Sequence, residues 1–275
     1  TDRSRELIDQ ISNNQVRVMS NSANQGLVSA RRRLMEEADG DLLAWLDQDD
    51  IAFVKRLAIQ SDFLMSHKDI AVCGTYVQIQ YHARDGGHRF RVRRPPTTHG
   101  DVRAHLPFLN PINFSTSMMH RGRFEKTGLS FRMHFGNTLD YDLWSRLAER
   151  SNLENIPQIL GRYRVHENQT SGGAAGEIMM QQAWVVQQEI LDRNFGLSTD
   201  SSTDHIHFKM TMDRPSLTSL SHLETLSDWV RELIVANRRH QSYPEANLQK
   251  ILARYWFGSL QNLKMSGTGS RGMMR

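Results

Sequence analysis

The stretch that most constrains this chain is Leu42-Leu43-Ala44-Trp45-Leu46-Asp47-Gln48-Asp49-Asp50, in which five apolar residues run directly into three carboxylates. An apolar run of that length, bounded by polar residues, reads as a short buried strand. In an extended backbone side chains alternate, so Asp47 and Asp49 leave the strand end on the same side. Two hard oxygen donors so placed suit a divalent cation such as Mg²⁺, which keeps coordination positions for substrate phosphates. The carboxyl edge of an open α/β sheet is also where ligands bind. The competing reading is an acidic turn with Asp50 capping the next helix. That reading is adopted for Asp50 and is insufficient for the other two.

The pattern on either side is one of alternating strands and helices. Helices are expected over residues 2–13, 27–37 and from Asp50 to about residue 65, and strands over 15–19, 42–46 and 70–79. The second helix would turn Leu27, Ala30 and Leu34 inward, and the third would carry Ile51, Val54, Leu57, Ala58 and Phe63 as its apolar stripe. Strands alternating with helices of this size imply parallel pairing with helices on both faces of a sheet. Arg84-Asp85-Gly86-Gly87 predicts a hairpin joining 75–81 to 88–93. A strand over 113–119, a helix over 141–150 and a strand ending at Val165 follow. The run Ser171-Gly172-Gly173-Ala174-Ala175-Gly176 reads as a flexible joint. Beyond it lie helices over 178–195, from a capping box at Ser221-His222-Leu223-Glu224, and over 245–263.

Around the acidic segment stand Asn24-Gln25-Gly26-Leu27-Val28-Ser29-Ala30-Arg31 upstream, and Leu139-Asp140-Tyr141-Asp142-Leu143-Trp144 and Tyr163-Arg164-Val165-His166 downstream. In this order and spacing the four segments resemble the inverting family 2 glycosyltransferases of the GT-A fold. The family patterns are Asn-x-Gly-x-x-x-Ala-Arg-Asn, Asp-x-Asp-Asp, Glu-Asp-Tyr-Asp-Leu-Trp and Tyr-Arg-x-His. The resemblance implies a Rossmann-like, mostly parallel sheet with helices on both faces over residues 1–171. A helical C-terminal extension over 177–265 and a disordered tail over 266–275 complete the expected organisation. Thr1-Asp2 would align with the end of the family's Asp-Asp-Gly-Ser-Thr-Asp. The expectation is therefore an N-terminally incomplete domain that lacks its first strands and binds donor weakly or not at all.

What the resemblance implies can be placed residue by residue. Asp140 stands where the family keeps its general base, although an Asp preceding a helix also reads as an N-cap. Asp49 and His166 are the implied ligands of Mn²⁺ or Mg²⁺, and Asp47 contacts the sugar or ribose. Asn24, Gly26 and Arg31 pack under the nucleotide, with Gly26 allowing close backbone approach and Arg31 able to bond the base or a phosphate. By the period of two, Arg162, Arg164 and His166 share a cationic face, so Arg164 joins the donor-binding set. Leu139 replaces the family's usual Glu, Arg32 its Asn, and Val54 its frequent Pro. Asp142 is read as structural or as a neighbour of the acceptor, and Arg32 and Arg56 as structural.

The reading is thus a hexosyltransferase-type, inverting, metal-dependent glycosyltransferase taking a nucleotide-sugar donor to a glycan or lipid-linked acceptor in cell-surface polysaccharide synthesis. A nucleotidyltransferase with the same carboxylates is the rival enzyme, and a non-catalytic nucleotide- or glycan-binding fragment the rival of another class. Composition is that of a soluble globular chain: 39% hydrophobic, 23% charged, net charge +4 over 275 residues. Basic clusters at 31–33, on a helix, and at 89–94, on the strand-like stretch Phe90-Arg91-Val92 that ends at Pro95, read as solvated faces rather than nucleic-acid patches, so no nucleic acid is expected. They leave attraction to phosphates or peripheral contact with an anionic membrane. Cys73, the single cysteine, lies in an apolar stretch and excludes an internal disulfide, which fits a cytoplasmic protein working as far out as the inner face of the membrane. His205, His207 and His222 lie in a polar stretch without a fixed frame and are given little weight as a metal cluster.

Overall fold

The computed structural model describes residues 3–11, 15–83, 86–166, 173–202, 204–213 and 216–269. Its elements run α1 (Ser4–Ile11), α2 (Gly26–Glu37), β1 (Leu42–Ala44), β2 (Ile51–Ala52), α3 (Arg56–Ser66), β3 (Ile70–His82), β4 (His88–Arg93) and α4 (His99–His105). They continue with β5 (Met118–His120), α5 (Arg121–Glu125), α6 (Leu139–Leu147), β6 (Asn152–Arg164), α7 (Gly173–Phe195), α8 (Ile206–Thr211), α9 (Leu220–His240) and α10 (Glu245–Gly269). The class is mixed α/β with a helical C-terminal region.

One sheet of six strands runs β1-β5-β3-β6-β2, with β4 pairing β3 off that path. The expectation of a mostly parallel sheet is corrected among the described residues. Only β3 with β6 is parallel, and the pairings β1–β5, β3–β5, β3–β4 and β2–β6 are antiparallel. The cause is connectivity. The β3–β4 pair is the expected hairpin, which must be antiparallel; residues 84 and 85 of its turn lie outside the described residues. Only the long passage through α4, α5 and α6 leaves room for a parallel crossover between β3 and β6. At that pairing a Cβ on Gly74 would collide with Asn155 Oδ1, so the close approach of β3 and β6 needs glycine there.

Several local expectations are also corrected. Residues 15–19 form no strand, and Val16 and Val18 are exposed. On α2 the buried residues are Val28 and Arg31, while Leu27 and Leu34 face solvent. Asp50 caps no helix: β2 follows it directly, and Lys55 stands at the N-cap of α3. The inward stripe of α3 is Arg56, Gln60 and Leu64, while Val54 and Leu57 are exposed. The polar stripe has a physical reason. Arg56 Nη2 donates to Trp45 O (2.6 Å) and Ser117 O (3.1 Å), and Gln60 Nε2 donates to Thr116 O (2.9 Å) and Cys73 O (3.2 Å). These carbonyls lie where β1, β5 and β3 diverge, and buried carbonyls need donors. The strand of 42–46 is correspondingly cut back to Ala44.

The helical region begins earlier than expected, since Gly173 already starts α7; residues 171 and 172 of the expected joint lie outside the described residues. Helix α7 serves two cores. Ala183, Val186 and Ile190 pack with α6 residues Leu143, Trp144 and Leu147, whereas Trp184, Leu191 and Phe195 pack with Trp229, Leu233, Leu248 and Leu252 from α9 and α10. The cap of α9 is Ser219, whose hydroxyl accepts from His222 N, two residues before the expected capping box. Residues 266–269 are the end of α10 rather than a disordered tail; 270–275 lie outside the described residues. His207 joins the halves. Trp229 Nε1 donates to its Nδ1 (3.0 Å), so Nε2 carries the proton and donates to Pro107 O (2.9 Å). His207 is thus a neutral, buried link, and burial pushes its pKa down to about 3.

Candidate active site

Beyond Ala44 the backbone leaves the sheet and curls through Asp47–Asp50, closed by a bond from Asp50 N to Asp47 O (3.1 Å). Asp47 and Asp49 therefore share a side because of a turn rather than strand alternation. Ser115 pins this turn at both ends: its Oγ accepts from Asp47 N (2.9 Å), and its hydroxyl bonds the Asp50 carboxylate. From the other side, the end of β6 closes on it. Arg164 donates through its backbone N to Asp50 Oδ1 (3.1 Å) and through Nε to the Asp49 carbonyl, and His166 Nε2 lies 2.9 Å from Asp49 Oδ2. Burial raises the Asp50 pKa, against the bonds from Ser115 and Arg164. Asp50 is thereby an inner strut of the turn, and Asp47 and Asp49 face outward.

These two carboxylates line a cleft of about 550 Å³ together with Arg31, Arg93, Asn110 and Asp140. Arg31 reaches it from α2 with only 9% of its surface exposed. Its Nη2 donates to Asp47 Oδ1 at 2.9 Å, and its guanidinium sits 3.9 Å above the Phe114 ring. Asn24 Oδ1 accepts from Gly26 N (2.9 Å), and Gly26 adopts φ +81°, so both residues shape the turn into α2 rather than line the cleft. The far wall comes from the C-terminal helical region: Met179 and Ala183 of α7, and Met212 just after α8.

Asp140 is the second residue of α6, and the N-cap position belongs to Thr138, which makes no side-chain cap bond. Asp140 is therefore not the cap that its sequence position also allowed. Its Oδ2 accepts from Asn110 Nδ2 at 2.8 Å. Desolvation raises its pKa, opposed by the Arg31 charge and by the bonds from the Tyr141 amide and Asn110. Asp142, two residues further along α6, is fully buried and held by Arg146 (2.6 Å) and Arg132, so its role is structural. Arg56, as shown above, is structural too. Cys73 is buried with its pKa raised to about 12 by desolvation, which makes it inert. Among the described residues, no group of three or more His, Cys, Asp or Glu side chains is placed to hold a metal ion.

The sequence profile described as glycosyl transferase family 2 matches residues 1–128. An uncharacterized glycosyltransferase of Haemophilus influenzae is 27% identical over 161 residues, covering 57% of this chain and 50% of the relative. The amylovoran biosynthesis glycosyltransferase AmsE of Erwinia amylovora is 25% identical over 143 residues, covering 51% of each chain. A crystal structure of Staphylococcus aureus TarS 1–349 is similar over 100% of this chain and 80% of that one, at 14% identity and a TM-score of 0.49. The chain thus spans about half the length of the curated relatives it matches. Within the matched segment lie Arg31, Asp47 and Asp49; Asp140 and His166 lie beyond it, and the fold returns Asp140 to the cleft and His166 to the acidic turn, outside the cleft lining.

Sequence reasoning missed Asn110, Arg93 and Ser115. The first was marked: Asn110 and Asn113 are lone amides inside the apolar run Leu106-Pro107-Phe108-Leu109-Asn110-Pro111-Ile112-Asn113-Phe114, and amides in such a setting need partners. Arg93 was absorbed into a basic strand, and its place in the cleft is visible only in three dimensions.

Proposed function

We propose that this chain is an inverting glycosyltransferase that moves a sugar from a nucleotide-sugar donor to a glycan or lipid-linked acceptor. The observation that carries the reading is the convergence of Asp140 with Arg31, Asp47 and Asp49 in one cleft. In the reaction the acceptor hydroxyl forms a bond to the anomeric carbon as the bond to the diphosphate oxygen breaks. Asp140 takes the hydroxyl proton, and the nucleoside diphosphate leaves with the bonding electrons. One displacement on the face opposite the leaving group inverts configuration, and a single protein carboxylate suffices. Arg31, held rigid by Asp47 and Phe114, would orient the donor.

Asp49 and His166 fit a divalent cation. Their facing atoms lie 2.9 Å apart, close to the roughly 3 Å between adjacent donors on an octahedral ion with bonds of about 2.1 Å. Two protein donors leave the other positions to phosphates and water, as Mg²⁺ sites commonly do. When bound, Mn²⁺ or Mg²⁺ would supply Lewis-acid neutralisation of the departing diphosphate. Asp49 and His166 would fix its place beside the cleft. A role in cell-surface polysaccharide synthesis, on the cytoplasmic side, is supported by the similarity to a relative named for amylovoran biosynthesis and by the reduced, buried Cys73.

The test is binding and turnover of UDP-glucose, UDP-galactose, UDP-N-acetylglucosamine and GDP-mannose with Mn²⁺ or Mg²⁺, against EDTA. Asp49→Asn should abolish the metal-dependent part of donor binding by calorimetry with the circular dichroism spectrum unchanged. Donor binding equal in the parent, the variant and EDTA would remove the metal assignment, and no binding or hydrolysis of any nucleotide sugar would remove the transferase reading.

A further inference from the structure

Asn110 stands between the two charged groups at the centre of the cleft. Its Nδ2 donates to Asp140 Oδ2 at 2.8 Å, while its backbone carbonyl accepts from Arg93 Nη2 at 2.5 Å. Its own Oδ1 accepts from Ile112 N at 3.2 Å, in the turn that Pro111 makes. That last bond fixes the amide, since Oδ1 must face the Ile112 amide and Nδ2 is left to face Asp140. A donor locked in this way toward a carboxylate favours the ionised form, and it occupies one carboxylate oxygen while leaving the other for substrate.

We infer that Asn110 is the positioning residue of the Asp140 base: it holds the carboxylate ionised and commits Oδ2, so that Oδ1 is the atom presented to the acceptor hydroxyl. The inference rests on the reading of Asp140 as base and adds to it a residue that the family resemblance does not supply. The need for such a donor is visible in the surroundings. Desolvation works against ionisation of Asp140, and the groups facing it are Arg31 from α2, Arg93 from β4 and Tyr141 from α6, with Tyr163 of β6 lining the same cleft. Of the two cations, Arg31 is engaged with Asp47, and Arg93 bonds Asn110 rather than the carboxylate. The neutral amide is thus the side-chain hydrogen-bond donor that the described residues offer Asp140.

The sharpest variant is Asn110→Asp. It keeps the size of the side chain and an oxygen for Ile112 N, but it replaces the donor to Asp140 by a second carboxylate. Asn110→Ala removes the donor without adding charge. Carboxyl ¹³C titration of the full chain, with the Asp140 resonance assigned by its loss in Asp140→Asn, reads the effect directly. In Asn110→Asp the two neighbouring carboxylates titrate as a pair, and its upper midpoint should lie about one pH unit or more above the parent Asp140 midpoint. In Asn110→Ala the midpoint should rise by less, and kcat on the donor of the above panel turned over fastest should fall about tenfold with KM within about twofold. The acid limb of the pH–rate profile should move up with the midpoint in both variants.

Unchanged midpoints in folded Asn110→Asp and Asn110→Ala would overturn the inference, as would a kcat in Asn110→Ala equal to that of the parent. Should Asn110→Asp fail to fold, the alanine variant alone carries the test. A shifted midpoint with an unmoved acid limb supports the Asn110–Asp140 contact and overturns the reading of Asp140 as base, so the two failures are separable.

Discussion

At the scale of single residues, the cleft sets function against stability. Asp140 has its pKa raised above the ordinary 3.8, chiefly by desolvation. The folded chain therefore keeps a proton on Asp140 at pH values where the unfolded chain has lost it, and stability falls as pH rises through that window. Asp140→Asn removes the ionisation and keeps an oxygen for Asn110. The variant should be at least as stable as the parent at pH 7, and the difference in thermal midpoint should close as pH falls toward 3.8. Its turnover should fall by at least about a hundredfold. A variant both destabilised at pH 7 and active would contradict both halves. Asp142 predicts the opposite. With no exposed side-chain surface and two arginines on its oxygens, its replacement by Ala takes the carboxylate from the part-buried Arg146 and leaves Arg132 to Glu189 alone. A loss of about 3 kcal/mol in urea unfolding is expected, with kcat of the folded fraction retained.

At the scale of elements, legibility followed the physics of each signal. The hairpin of β3 and β4 was readable because a Gly-Gly turn between alternating strands is a local device. The shared side of Asp47 and Asp49 was readable from three carboxylates after an apolar run, but the turn that sets it was not, because it is held by Ser115 and Arg164 from distant segments. The α3 stripe was misread because periodicity counts apolar residues, whereas this helix turns Arg56 and Gln60 inward to satisfy carbonyls of strands far away in sequence. The antiparallel pairing of β1 with β5 was hidden for the same reason, since β5 is three residues long and its register depends on β3. Asp140, Asp49 and His166 were singled out by motif, while Asn110 and Arg93 enter only through contacts that no spacing encodes. The β3–β6 pairing yields its own prediction. Gly74→Ala would drive a methyl into Asn155 Oδ1, and Asn155 is itself tied to Pro96 O and Pro111 O. The strands must part or those bonds must break, at an expected cost of about 2–3 kcal/mol in urea unfolding. Because Pro111 follows Asn110, the Asp140 midpoint should move as well.

At the scale of the whole molecule, His207 links the sheet half to the helical half while neutral. Its folded pKa of about 3 lies below the ordinary 6.5, so the unfolded chain takes up a proton first as pH falls. Stability contributed by the neutral link is intact above 6.5 and drains away as pH drops toward 3, by on the order of 5 kcal/mol in full. His207→Gln can still donate to Pro107 O but cannot titrate. Its unfolding free energy should be lower than the parent's at about pH 7.5, yet flatter between about pH 6.5 and 4, as read by urea titration across that range.

Helix α7 has a consequence for how chains like this one can be recombined. One of its faces is built into the α6 side, a second into α9 and α10, and two of its residues reach the cleft. A chimera that exchanges the C-terminal helices between two such chains cannot place its crossover inside residues 173–195 without pairing mismatched faces. A crossover after Phe195 keeps Met179 and Ala183 with the acidic turn they confront, and exchanges the outer helices alone. Selectivity carried by that wall of the cleft would then be inherited with the sheet, not with the helices that outwardly look like the detachable part.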